Sequence, residues 1–174
     1  MSNKNKTIHE FDFNFICEYF SRLERQGPGS PEATLKALGF IDNLTGQSRI
    51  ADLGCGTGGQ TRTLAAHVQG SVTGLDLFPD FIRIFNRQAT QSGLQDRVEG
   101  IVGSMDKLPF AEEELDLIWS EGAIFIIGFD EGLKQWKRLL KPQGFLVVSE
   151  ASWLKESPPE EIARYWQALC PDMQ

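Results

Sequence analysis

"ADLGCGTGGQ", residues 51–60, places four glycines within six positions directly behind an aspartate and a leucine. Glycine gives up more backbone entropy on folding than any other residue. Clustering it is therefore costly unless the chain must take positive φ or let another group approach its backbone closely. The five residues before the cluster, "RIADL" (49–53), read as a short buried strand, and "GQTRTLAAHV" after it as a helix. A glycine turn between strand and helix leaves N–H groups at the helix start, a place suited to the polar part of a nucleotide.

The same alternation continues along the chain. Candidate strands are "SVTGLDL" (71–77), "VEGIVG" (98–103), "LDLIWS" (115–120) and "GFLVVSE" (144–150). Helical stretches lie between them at "PDFIRIFNRQATQSG" and "DEGLKQWKRLLKPQG". The latter carries Leu133, Trp136, Leu139 and Leu140 on one face and meets Pro142 and Gly144 as stop signals. "SMDKLPFAEEE" reads as loop. Strand and helix at this spacing predict an α/β, Rossmann-like, doubly wound and mostly parallel sheet, with right-handed crossovers and helices on both faces.

Residues 1–48 read as a helical N-terminal cap, and 49–174 as the core of a single structural domain. "FDFNFICEYFSRLER" sets Ile16, Tyr19, Phe20 and Leu23 on one helical face. After the break "GPGS", Ser30 as N-cap and Pro31 at the first helical position open a second helix, "PEATLKALGFIDNL". The aromatic residues Phe11, Phe13, Phe15, Tyr19 and Phe20 fit either a helix packed into the core over the sheet edge or a lid enclosing a cation.

A chain of 174 residues, 41% hydrophobic and 24% charged, can bury a core of its own. Its longest apolar run, Ala123 to Ile127, is far too short for a bilayer, and the polar start has no signal-peptide segment, so a cytoplasmic protein is expected. Three cysteines without a CxxC pair argue against disulfides and a cysteine metal site. A net charge of -7 argues against nucleic acid and anionic membranes as partners, and favours a small substrate or a cationic cofactor.

Ligands of such sheets bind beyond the carboxyl ends of the strands, where strand order reverses. Gly54, Gly56 and Gly58 would form the turn there, and Asp76, closing the next strand, could accept from both ribose hydroxyls. Gly54, Gly56 and Gly59 also satisfy the GxGxxG pattern of dinucleotide binding, so NAD stays open on that ground. Asp52 argues otherwise. It lies in a strand expected to be covered on both faces, where an ionised group needs a partner, either a cationic ligand group or loop N–H donors.

Five motifs in order carry a family resemblance. "IADLGCGTGGQTRTLA", "GLDLFPDFI", "GIVGSMDKLPF", "LDLIWSEGAI" and "WKRLLKPQGFLVVSE" resemble the successive motifs of class I S-adenosylmethionine-dependent methyltransferases over about residues 49–150. The LPF ending and the helical cap look most like the small-molecule enzymes of the ubiquinone and menaquinone biosynthesis type. The resemblance implies S-adenosylmethionine as cofactor and S-adenosylhomocysteine as product. Asp52 and the backbone of Gly54, Cys55 and Gly56 would border the methionine part, Asp76 would bind the ribose, and Leu77 would pack on adenine. Many relatives have an aspartate after the third-motif glycine to take the adenine amino group. Here Ser104 stands there, leaving that contact between Ser104 and Asp106, with the Met105 N–H facing a ring nitrogen. Ser120 would lie near the sulfonium, and the Gly27 to Ser30 turn is either a helix connection or a loop that closes over the cofactor.

No strong catalytic group stands out, as expected for a displacement that needs mainly alignment. Glu121 is the candidate substrate-facing carboxylate, against a plain solvated loop acid. Cys55 lacks a neighbouring base and reads as packing; His67 reads as a helix-end or solvent contact, and the role of His9 is not legible. Relatives continue past the fifth strand into two more, whereas here one further helix, with Ile162, Tyr165, Trp166 and Leu169 on a face, precedes the end. The expectation is a core lacking strands six and seven, with "GFLVVSE" left at an edge and either truncation or a homodimer across it. An NAD-dependent oxidoreductase and a crippled cofactor-binding fragment are the alternative readings.

Overall fold

The computed structural model describes residues 13–153 and 156–169. Five strands, β1 (Arg49–Leu53), β2 (Ser71–Asp76), β3 (Val98–Val102), β4 (Leu115–Glu121) and β5 (Leu140–Ser149), lie in the order β3-β2-β1-β4-β5, and every neighbouring pair is parallel. The helices are α1 (Phe13–Phe20), α2 (Pro31–Leu38), α3 (Gly59–His67), α4 (Pro79–Gln91), α5 (Phe129–Lys137) and α6 (Glu160–Leu169). None among the described residues is long and apolar enough to cross a membrane. Strand order reverses between β1 and β4, which opens the crevice beyond their carboxyl ends.

Because side chains alternate along a strand, β1 feeds two cores. Ile50, Val72, Val98, Leu117 and Trp119 meet Leu64 of α3 and Ile82, Phe85 and Ala89 of α4 on one face. Ala51, Leu53, Leu75 and Ile118 meet Trp136 of α5 and Leu139 on the other. Covering both faces requires the continuous apolar run that marked β1 as a strand. Phe85 sets the fit of the first layer. A Cβ at Gly58, at Gly74 in β2 or at Gly100 in β3 would run into its ring, and Gly74 and Gly100 are register partners. The glycines thus make a recess for one aromatic ring.

Several boundaries differ from the sequence reading. Helix α1 stops at Phe20, and residues 21–30 become an irregular strap drawn onto the sheet end. Helix α2 begins as expected, with the Ser30 hydroxyl accepting from Ala33 N at 3.2 Å, but ends at Leu38 instead of running to Leu44. Helix α5 ends at Lys137, and the pairing of Leu140 with Leu115 starts β5 before Pro142. The irregular register between Leu115 and Leu117 tolerates that proline, which has no N–H to give a ladder. Glu121 belongs to β4 itself.

The core reading of the aromatic cluster is corrected. Phe15 and Tyr19 are 63% and 58% exposed and stack on each other, because α1 lies at the sheet end and not across its side. Phe11, His9, Cys170 and the side chains of Phe13, Ile16 and Leu169 lie outside the described residues. Ile162, Tyr165 and Trp166 of α6 are exposed.

Gly58 has φ of 85°, and an added methyl there also meets Phe85. Gly93 has φ of 67° with open space around it. Urea unfolding is expected to show Gly58→Ala costing about 3 kcal/mol, strain plus overpacking, and Gly93→Ala about 1 kcal/mol, strain alone.

Candidate active site

The turn after β1 is held by β2. Gly54 N and Cys55 N both donate to Leu75 O, at 2.8 and 3.1 Å, and Gly56 N donates to Asp76 Oδ2 at 2.9 Å. Asp76 Oδ1 accepts from Phe78 N at 3.0 Å. Each carboxylate oxygen is thus engaged by backbone, and the four lone-pair sites of the group are not all used. Burial pushes the Asp76 carboxyl up from its ordinary value, and the Phe78, Gly56 and Leu77 amides pull it back. Gly58 N closes the turn onto Cys55 O at 2.9 Å. The amides of Gly54, Cys55, Gly56 and Gly58 thus serve the loop's own geometry. Thr57 N donates outside the β1–β2 pair, to Oε1 of Gln26 at 2.8 Å.

Asp52 sits under this turn, fully buried, on the strand face covered by α3. The Thr61 hydroxyl donates to its Oδ2, and its Oδ1 accepts no hydrogen bond. Burial pushes its carboxyl up to about 7, helped by the charges of Glu121 and Asp76, while the Thr61 and Gln60 side chains oppose the rise. An unsatisfied buried acceptor costs about 1–3 kcal/mol, so this atom is waiting for a donor. Cys55 is buried too, its thiol held well above the ordinary range by burial and by Asp52 and Asp76, and it packs as a core residue. A thiol so protonated is no nucleophile.

The third loop is tied in through Gly103 N, which donates to Asp76 O at 2.9 Å. Trp136 Nε1 donates to Met105 O at 3.1 Å, so α5 fixes the buried Met105 against the glycine turn. The Ser104 hydroxyl donates to Asp106 Oδ1. Leu77 is 56% exposed at the end of β2. Ser120 is corrected: it is fully buried, and its hydroxyl donates to Leu53 O at 2.8 Å, bracing β1 against β4 instead of facing a ligand.

The strap covers the opposite side. Its Gln26 spans from Thr57 N to Phe20 O, which accepts from Nε2 at 3.0 Å. A Cβ at Gly56, whose φ is 56°, would meet the Gln26 amide oxygen. Gly27 packs on the Glu121 carbonyl. Glu121 does not stand open to a substrate: Arg25 pairs with its Oε2, and its Oε1 accepts from the Thr34 hydroxyl at 2.6 Å and from Trp119 Nε1 at 2.8 Å. His67 is exposed, with Nδ1 2.9 Å from Thr63 O. No group of three or more metal-ligating side chains occurs among the described residues.

Asp52, the glycines of the turn, Asp76, Met105, Gly27 and Glu121 converge on one end of the sheet. Arg25, Gln26, Thr34 and Trp119 join them unannounced. The polar pair directly before "GPG" and the lone threonine in an otherwise apolar helical face, Thr34, are the only local signals that pointed there.

Comparison with known proteins fits this arrangement. Residues 50–144, over half of the chain, match the family described as a methyltransferase domain. The chain is 31% identical to an uncharacterized methyltransferase, YodH, of Bacillus subtilis over 112 residues, covering 64% of this chain and 47% of that protein. It is 31% identical to the ubiquinone/menaquinone biosynthesis C-methyltransferase UbiE of Geotalea daltonii, covering 60% of this chain and 46% of the relative. The chain spans about half the length of the curated relatives it matches. Among solved structures, phosphoethanolamine N-methyltransferase 2 of Haemonchus contortus, in complex with S-adenosyl-L-methionine, shares the fold at a TM-score of 0.72 and 22% identity, covering 88% of this chain and 36% of that one. With its glycine turn, its acid-closed second strand and this match from β1 into β5, the chain belongs to the methyltransferase-domain family.

Proposed function

We propose that this chain binds S-adenosylmethionine at the carboxyl ends of β1, β2 and β3 and takes part in transferring its methyl group to a small molecule rather than to nucleic acid. The observation that carries the reading is the buried, unpartnered Oδ1 of Asp52 beside a second carboxylate, Asp76, with lone pairs to spare. An ammonium satisfies the first and a ribose diol the second. A dinucleotide fits poorly: its pyrophosphate needs free loop amides, and those of Gly54, Cys55, Gly56 and Gly58 are already taken, next to a buried acid.

In this reading Leu77 gives adenine an apolar wall, and the Met105 N–H serves a ring nitrogen. The Ser104 hydroxyl already donates to Asp106, so Asp106, with Oδ2 to spare, takes the adenine amino group. The cofactor supplies an electrophilic methyl on a sulfonium. The chain supplies alignment and exclusion of water. Glu121, with both oxygens engaged, holds the strap and does not take a proton from the acceptor. The reading extends to a cytoplasmic protein with residues 1–48 as a cap on the core that begins at Arg49, and to self-association along β5, which pairs on one side only among the described residues.

Calorimetry is expected to show S-adenosylhomocysteine binding and NADH not binding, with Asp76→Ala weakening the former by about 10–100-fold through the lost ribose contacts. Binding of NADH alone, or unaltered affinity in Asp76→Ala, would refute the assignment.

Asp52 must be ionised to meet an ammonium, and its carboxyl titrates near 7. Affinity for S-adenosylhomocysteine should therefore tighten about tenfold from pH 6 to pH 8, and Asp52→Asn should abolish that slope. Stability of the unliganded protein runs the other way. The folded value lies above the ordinary 3.8, so the folded state holds the proton longer. The associated stability is present below about pH 4 and lost as pH rises through 7, by up to about 4 kcal/mol relative to Asp52→Asn in denaturant unfolding.

A further inference from the structure

A second carboxylate oxygen without a donor lies at the far side of the crevice. Glu150 directly follows β5, and its side chain is half-buried. Oε1 accepts from Ala151 N at 2.9 Å, whereas Oε2 is buried and makes no hydrogen bond. No ion pair among the described residues includes it. An unmet buried acceptor is costly, and more so when it is charged. Oε2 holds no other part of the fold, so that cost has no structural return.

Position in the sheet says what this oxygen serves. In the order β3-β2-β1-β4-β5 the cofactor proposed above lies over β1, β2 and β3, which leaves the ends of β4 and β5 to the methyl acceptor. Glu121, closing β4, has both oxygens engaged, so Glu150 is the carboxylate of these two strand ends with one to offer. The turn after β4 runs beside it, because Gly122 N donates to Ser149 O at 3.1 Å. Strand alternation carries Glu150 to the face of Leu146 and Val148, where Ile124 and Ile127 of that turn also pack. In the same turn Phe125 and Ile126 are 37% and 64% exposed. Apolar walls with one placed polar group are the usual make-up of a small-molecule site. A metal ion finds no set of three ligating side chains among the described residues, whereas an ammonium needs only one carboxylate oxygen and gains a charge-assisted hydrogen bond from it. We propose that Glu150 binds the protonated amine of the methyl acceptor, and that the acceptor is a small amine carried on an apolar body that lies on Phe125 and Ile126. This rests on the S-adenosylmethionine reading above and adds to it the class of the acceptor and the residue that selects it.

The probes are benzylamine, a cation at neutral pH, and benzyl alcohol, its uncharged counterpart, titrated into the full chain saturated with S-adenosylhomocysteine and followed by ligand-observed NMR. Wild type is expected to bind benzylamine about tenfold more tightly than benzyl alcohol. Glu150→Gln keeps the shape and the acceptor for Ala151 N, and should bring the two probes to within about twofold of each other with S-adenosylhomocysteine affinity unchanged. Because Oε2 has no partner in the fold, Glu150→Gln is also expected to unfold at the same temperature as wild type or a higher one. A lower unfolding temperature with the amine preference intact assigns Glu150 to the scaffold and overturns the inference. Equal binding of the two probes by wild type, or a preference that survives in Glu150→Gln, also overturns it, and in both cases bound S-adenosylhomocysteine leaves the cofactor reading standing. If the chain binds no S-adenosylhomocysteine, the cofactor reading falls and takes the acceptor assignment with it.

Discussion

The carboxylate of Asp76 is the joint on which this end of the molecule depends. Its two oxygens hold Gly56 N and Phe78 N, its own carbonyl holds Gly103 N, and the carbonyl of Leu75 before it holds Gly54 and Cys55. Three loops from three strands are thereby set by two consecutive residues of β2. Hydrogen bonds to an ionised acceptor are about twice as strong as neutral ones, which offsets part of the desolvation that raises the group. A residue with both a scaffold role and spare lone pairs can orient a ligand without moving, which is the condition for preorganised binding.

Much of this was legible because the decisive information was local. An acid inside an apolar strand flags itself, and Asp52 needs no partner from elsewhere to look anomalous. Asp76 was found by its place at the end of the second strand. Glu121 was misjudged for the opposite reason: its partners Arg25 and Thr34 lie 96 and 87 residues away, and no periodicity couples such positions. Ser120 likewise has a role only once β1 is beside β4, because its acceptor is Leu53 O. The early end of α5 is set by the pairing of Leu140 with Leu115, a tertiary contact that overrides the helical spacing of Leu139 and Leu140.

The glycines teach a related point. Their clustering reads as room for a ligand, yet part of that room belongs to the chain itself. Phe85 fills the recess at Gly58, Gly74 and Gly100, and the Gln26 amide fills the one at Gly56. Absence of a side chain marks close approach without saying what approaches. The difference between the two cases is mobility. An aromatic ring locked in a core stays, whereas the Gln26 amide sits on an irregular strap, held by one hydrogen bond that it accepts from Thr57 N and one that it donates to Phe20 O.

Charge decides what kind of ligand suits this place. The end of the sheet gathers Asp52, Asp76 and Glu121, with the guanidinium of Arg25 paired to Glu121. The excess is felt by each neighbour: the charges of Asp76 and Glu121 raise Asp52, those of Asp52 and Asp76 raise Cys55, and those of Asp80 and Asp76 raise Cys17 on α1. Burial is the first cause of the rise at Asp52, Asp76, Cys55 and Cys17, and neighbouring carboxylates add to it at Asp52, Cys55 and Cys17; in a poorly solvated crevice such a negative field is weakly screened. It opposes a pyrophosphate and favours a ligand of net positive charge. S-adenosylmethionine, with a sulfonium and an ammonium against one carboxylate, carries one unit of that sign. On the function proposed above, methyl transfer removes it, and the field that favours the cofactor would hold the demethylated product less tightly.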